Sequence, residues 1–204
     1  MYALVEDNTI TKTYNNPRGM TIGNVQYPQN IHSLWSESDL NAIGIYSVVY
    51  DDTNKRDEKW YINTDQTLAF AGGVVTASYG TATARAIADR NGTDEDGVEL
   101  DPVVVIKGLK TIKKEIFDRQ AAGLLAKYDW YVTRNTEAST AIPSAITNYR
   151  TAVRTKCNSM QAQVDGAADV DALATLFTYT DQGDGSVARP LGEFPDDPNA
   201  DGER

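Results

Sequence analysis

Hydrophobic and polar positions follow two rhythms along this chain, and the change between them near residue 100 divides it. In the first part, short apolar runs of period two lie between turn-forming clusters. Tyr2-Ala3-Leu4-Val5 reads as an edge strand and Asn15-Asn16-Pro17-Arg18-Gly19 as a turn. Ser36 is placed to cap a short helix, with Glu37 and Asp39 in its first turn, Leu40 and Ile43 facing inward and Gly44 ending it. Ile45–Tyr50 predicts a strand, the polar run Asp51–Lys59 a turn, and Trp60–Asn63 the returning hairpin partner. Leu68–Tyr79 reads as a further strand broken at Gly72-Gly73. Thr81–Asp89 suits strand or helix, and the acidic stretch Asn91–Leu100 reads as a linker.

After Asp101-Pro102 the apolar residues recur at steps of three and four. Ile106, Leu109, Ile112, Ile116, Leu124 and Tyr128 predict one helix from Pro102, capped by Asp101, to Trp130. At about 1.5 Å per residue it would run roughly 40 Å. Pro143 opens a second helix whose stripe is Ile146, Tyr149, Val153, Cys157, Met160 and Val164, ending at Asp165-Gly166. Asp169–Phe177 predicts a short third helix. The fold class is therefore α+β: a small antiparallel β-rich domain (1–90), an acidic linker (91–101), a long helical hairpin domain (102–179) and an extended acidic C-terminal arm (180–204). The hairpin is expected to pack through Leu124, Leu125, Trp130, Ile146, Tyr149 and Val153, with Trp130 buried near Tyr149 or Val153.

Composition sharpens this picture in three places. The chain has 204 residues and a formal net charge of −10, which disfavours binding to nucleic acid because no basic footprint displaces counterions. The two ends are acidic and the helical middle is slightly basic, so an arm has a surface of opposite sign to dock on. The arm, rich in Pro, Gly and acids, would be disordered alone. A docked arm is expected to lie on another chain. One cysteine, Cys157, leaves no internal disulfide and no zinc-ligand spacing. No charged segment followed by an apolar run opens the sequence, and nothing approaches a membrane span, so neither a secretory leader nor a membrane partner is expected.

Candidate chemistry is thin. A Cys157–His32 pair would need an exposed thiol of lowered pKa, whereas Cys157 sits on an apolar helical stripe. Asp51, Asp52, Asn54, Asp57 and Glu58 form one oxygen-rich turn and Asp89, Asn91, Asp94, Glu95 and Asp96 another; neither keeps the order of a calcium loop. Trp35, Trp60, Tyr46, Tyr50 and Tyr61 suit either a sheet core or a sugar- or peptide-binding surface. The expectation is no enzyme, no cofactor and no resident metal.

Two segments carry a family resemblance. Tyr27–Val49, with YPQNIHSLWSESDLNAIGIYSV, resembles an N-terminal module of phage tail-fibre and tail-assembly proteins, in which an extended strand leads to a Trp, a short helix and a further strand. Arg119–Arg154, through Leu124, Leu125, Asp129, Trp130, Pro143, Tyr149, Arg150 and Arg154, resembles the helical region of phage tail-fibre assembly chaperones. It departs from them in its long connection YVTRNTEASTAI and its acidic arm. The resemblance implies a non-enzymatic structural part of a bacteriophage tail, at the tip, baseplate or fibre attachment. Such a protein is made in the host cytoplasm, resides in the virion, self-associates and contacts other tail or fibre proteins. The alternatives are a tail-fibre assembly chaperone absent from the virion and a receptor- or carbohydrate-binding module.

Overall fold

A computed structural model describes residues 1–15 and 18–199. The chain is α+β and divides into two compact units, Met1–Ala84 and a second beginning at Arg85. Part of the turn cluster around Pro17 and the last five residues of the arm lie outside the described residues.

In the first unit, β1 (Tyr2–Glu6) and β2 (Thr9–Tyr14) form a hairpin closed by Asp7 and Asn8, both with positive φ. These are residues whose short polar side chains tolerate that conformation. A small pair follows, β3 (Met20–Ile22) and β4 (Val25–Tyr27), then the one-turn α1 (Ile31–Leu34) and α2 (Glu37–Ala42). Ser36 caps α2 with a full capping box, its side chain accepting from the Asp39 amide while the Asp39 carboxylate accepts from Ser36.

Then come β5 (Ile45–Asp51), β6 (Tyr61–Ile62), β7 (Gln66–Ala71), β8 (Val74–Tyr79) and β9 (Thr83–Ala84). The main sheet has the order β2-β1-β5-β8-β7. Two expectations change here. β1 is interior rather than an edge: Leu4 packs with Ile31, Leu40 and Ile45, while Ala3 and Val5 pack with Val48, Val75 and Ala77. Alternate side chains of a strand point to opposite faces, so a strand apolar at successive positions is covered on both.

The second change concerns the partner of β5. It is β8, in parallel, with Val48 opposite Val75, so the sheet is mixed rather than antiparallel throughout. The stretch expected to return beside β5 supplies only β6, which pairs with β9. β8 wins because Val75 and Ala77, both almost fully buried, complete an apolar face that two residues of β6 cannot. The run Leu68–Tyr79 is two strands, β7 and β8, turned at Gly72-Gly73, where both residues have φ > 0 as a tight hairpin requires.

The second unit opens with a two-stranded ribbon, β10 (Arg90–Asn91) against β11 (Val105–Ile106), so the acidic stretch expected as a linker is part of a folded turn. Then α3 (Leu109–Ala126), α4 (Asp129–Ala138), α5 (Ser144–Gly166) and α6 (Val170–Phe177) follow, and β12 (Thr180–Asp181) with β13 (Val187–Ala188) close the chain.

The first long helix does not begin at Pro102. Its free amides at Leu109 and Lys110 donate to the carbonyls of Ala86 and Ile87, and the Gly108 amide donates to Asp89 Oδ1 at 2.8 Å. The segment 86–89 thus crosses and satisfies the helix end. Its approach is so close that a Cβ on Gly108 would stand 2.3 Å from the Ala88 carbonyl carbon, so only glycine fits. Nor is the helix continuous to Trp130. It stops after 18 residues, and residues expected as a polar connection form the 10-residue α4.

Candidate assembly surface

The hairpin is built by α3 and α5, which run antiparallel: Lys114 meets Asp165 at one end, Asp118 meets Gln161 midway, and Arg150 reaches Leu125 and Asp129 at the other. The α5 stripe is buried as its periodicity predicts, from Ile146 through Tyr149, Val153, Cys157 and Met160 to Val164. On α3 the buried residues are Leu109, Phe117 and Ala121, while Ile112 is exposed and Ile116 half-buried. The stripe is rotated by about one residue from the predicted one because Phe117 stacks on Phe177 of α6, 5.9 Å away.

Of the residues expected to pack the hairpin, Ile146, Tyr149 and Val153 are buried, and Leu124 and Leu125 are half-buried. Trp130 is not brought to them: it is 50% exposed. Tyr128 takes the place foreseen for it, 2% exposed and edge-on to Tyr149 at 5.5 Å. The break between α3 and α4 falls at Lys127-Tyr128, and residues two apart on a helix point roughly 200° apart. With Tyr128 turned inward, Trp130 faces out.

Tyr128 also anchors the arm. Its hydroxyl donates to Asp197, which accepts from Lys127 as well, and from the Asn199 amide at 2.9 Å. These hydrogen bonds, Lys127 first and then Tyr128, hold the Asp197 carboxyl down at about 2. Burial, then the bond to Asp197, pushes the Tyr128 phenol above its usual value. Upstream, Leu191 is fully buried, its amide donating to Leu176 and its carbonyl accepting from Lys156 at 2.6 Å. Arg189 pairs with Glu193. The arm through Asn199 therefore docks on its own helices rather than reaching away, because one apolar plug and a basic corner on α3 complement its sequence.

Two open clefts flank residues 193–197, of about 590 Å³ beside the outer face of α5 and about 620 Å³ beside α3. Tyr149 borders the second, and its buried hydroxyl finds no hydrogen-bond partner among the described residues.

The latch carries a pH prediction. Asp197 titrates near 2 when docked and near 3.8 when free, so its contribution is complete above about pH 4 and lost as pH falls toward 2. Tyr128 titrates higher docked than free, so its contribution holds below about pH 10 and is lost as pH rises through the docked value. Backbone hydrogen exchange between Arg189 and Asn199 is expected to quicken relative to α5 below pH 4, after correction for the intrinsic rate. Asp197→Asn should flatten that acid limb; a limb unchanged in the variant would remove Asp197 as its cause.

The other candidates take ordinary structural parts. Cys157 is buried, and burial together with the nearby Asp118 raises its thiol pKa, the opposite of nucleophile activation. His32 lies against the Tyr2 ring at 4.5 Å, and its ring nitrogens find no partner among the described residues. Asp51 accepts from Thr53 and Asp94 from Asp96 and Val98, so these acids close turns. Among the described residues no three His, Cys, Asp or Glu side chains converge as a metal ion would require. The aromatics serve separate contacts: Trp60 is buried, Tyr46 leans on Phe70, Trp35 meets Tyr27, and Arg56 covers Tyr61.

Two exposed surfaces went unread in the sequence. On α4, Tyr131 is half-buried and every other residue exposed. Trp130 lies on Tyr131 at 3.8 Å between ring centres, and the Arg134 guanidinium sits over both rings, 4.9 Å and 5.7 Å from their centres. The second surface is the run Val103–Ile106, exposed throughout. Its four consecutive apolar residues follow no helical period and precede α3. Among the described residues no helix is long and apolar enough to cross a membrane. Comparison with protein-family models, with curated proteins and with solved structures finds no match.

Proposed function

We propose that this chain is a non-enzymatic structural component of a bacteriophage tail, at the tip, baseplate or fibre-attachment region, and that it works by packing against other tail or fibre proteins. The observation that carries the reading is the exposed Trp130–Tyr131–Arg134 stack on α4. Trp, Tyr and Arg are the residues most enriched among those that dominate binding between proteins. Here an indole is held open to solvent on a helix none of whose residues is fully buried. The likeness of Tyr27–Val49 and Arg119–Arg154 to phage tail proteins supplies the setting: synthesis in the host cytoplasm and residence in the virion.

The protein inventory of purified particles, taken by mass spectrometry, tests the reading. A structural part is expected at fixed stoichiometry. Abundance in infected cells with absence from particles would transfer the protein to the assembly-chaperone class. Trp130→Ala is expected to change fold stability by no more than about 0.5 kcal/mol, as exposed substitutions do. It should lower incorporation into particles at least about tenfold, the loss a dominant interface residue produces. Undiminished incorporation would remove α4 as the contact.

A further inference from the structure

We infer that β11 is a self-association edge: two copies pair antiparallel along the run Val103–Ile106, covering one another's apolar ribbon. The inference goes beyond the tail reading and does not rest on it.

β11 belongs to a two-stranded sheet, so one of its edges has no strand neighbour among the described residues. Val103, Val104, Val105 and Ile106 are 56%, 51%, 57% and 41% exposed. Neighbouring side chains of a strand point to opposite faces, so this run is apolar on both. That pattern belongs to strands with both faces covered. The partner strand β10 is Arg90-Asn91, too polar to cover it. An apolar, open edge invites another strand, and folded proteins generally blunt or cover such edges.

Charge identifies the occupant as a second copy and sets its direction. The residues before the apolar run are acidic, Glu99 and Asp101 among them, and those after it are basic, Lys107 and Lys110. A parallel pair would align like charges. An antiparallel pair centred on Val104 sets Val103 of each copy against Val105 of the other and brings the acidic end of each run, with Asp101, to the basic end of the other, with Lys107. Opposite charges and β-branched residues facing across strands both favour the pair. The side chain of Lys107 is 53% exposed although it already pairs with Glu115, so it stays within reach of a second carboxylate. The acidic turns at 94–96 then lie at opposite ends of the joint, and the two-fold contact between like edges closes as a dimer.

Sedimentation equilibrium of the full chain across the micromolar range tests this. A monomer–dimer equilibrium is expected. Val105→Lys, at a side chain already in solvent, should weaken the dimer at least about tenfold with an unchanged circular dichroism spectrum. Lys107→Glu should weaken it too, and Asp101→Lys combined with Lys107→Glu should restore it. Trp130→Ala should leave it unchanged, which separates this edge from the α4 surface; particle inventory does not enter the test. A monomer throughout, open-ended aggregates, or a dimer indifferent to Val105→Lys would overturn the proposal. A double variant as weak as Lys107→Glu alone would overturn the antiparallel register.

Discussion

Leu191→Ala is expected to release the C-terminal arm. Leu191 is fully buried, while most of the residues around it in the chain are exposed or half-buried. Truncating a buried leucine to alanine costs about 2–5 kcal/mol, through lost transfer energy and the cavity left behind. The arm has few other apolar anchors, and its remaining ties to the helices include the hydrogen bonds of Lys156 to the Leu191 carbonyl and of Lys127 and Tyr128 to Asp197. Most of the loss therefore falls on arm opening. A loss of about 2 kcal/mol raises the open population roughly thirtyfold. Limited proteolysis reads it directly: cleavage between residues 180 and 199 should accelerate by that factor while α5 remains protected. Equal cleavage rates in variant and parent would show that the arm is held by something other than Leu191.

The second large effect is expected from Arg150→Ala. Arg150 is the buried charged residue of the hairpin, 8% exposed, and its guanidinium donates at 2.8 Å to both the Leu125 carbonyl and Asp129 Oδ1. Leu125 stands in the last turn of α3, where its carbonyl also accepts from the Tyr128 amide at 3.0 Å, and Asp129 opens α4. One side chain on α5 thus fastens the joint between two helices. Hydrogen bonds made by a charged group contribute about 1.5–3 kcal/mol, and the aliphatic stem adds packing. A loss of about 2–4 kcal/mol is expected in urea unfolding of the helical unit followed by circular dichroism.

Arg150→Met separates the two parts, because it keeps the stem but removes the charged donor shared by the Leu125 carbonyl and Asp129. Asp129→Asn should cost less than about 1 kcal/mol, since the Asp129 side chain is 62% exposed and its charge is screened. If Arg150→Ala unfolds within about 0.5 kcal/mol of the parent, the joint is held by packing alone.

The two proposed contacts, α4 and β11, share a cause. Each is a place where a local pattern predicts burial and the fold leaves the residues in solvent. Trp130 follows Tyr128 by two positions, and only one of them can face Tyr149. Periodicity weighs both aromatics as core; the break at Lys127-Tyr128 decides between them. Val103–Ile106 lies just upstream of the helix, and local pattern does not separate it from that helix because steps of three and four can be drawn through almost any apolar run.

The sequence by itself determined what short-range physics controls. The α5 stripe, its start after Pro143 and its end at Gly166, the capping box at Ser36, the cap of α6 at Asp169 and the turn at Gly72-Gly73 all depend on residues within a few positions of one another. The tertiary structure alone decided the rest. The parallel pairing of β5 with β8, the crossing of 86–89 over the start of α3, and the inward turn of Tyr128 each depend on groups distant in sequence. So does the docking of the arm, where composition indicated disorder and acidity allowed any basic surface. Burying Leu191 under α6 and binding Asp197 to Tyr128 chose its own helices, because those contacts repay the order that composition alone opposes.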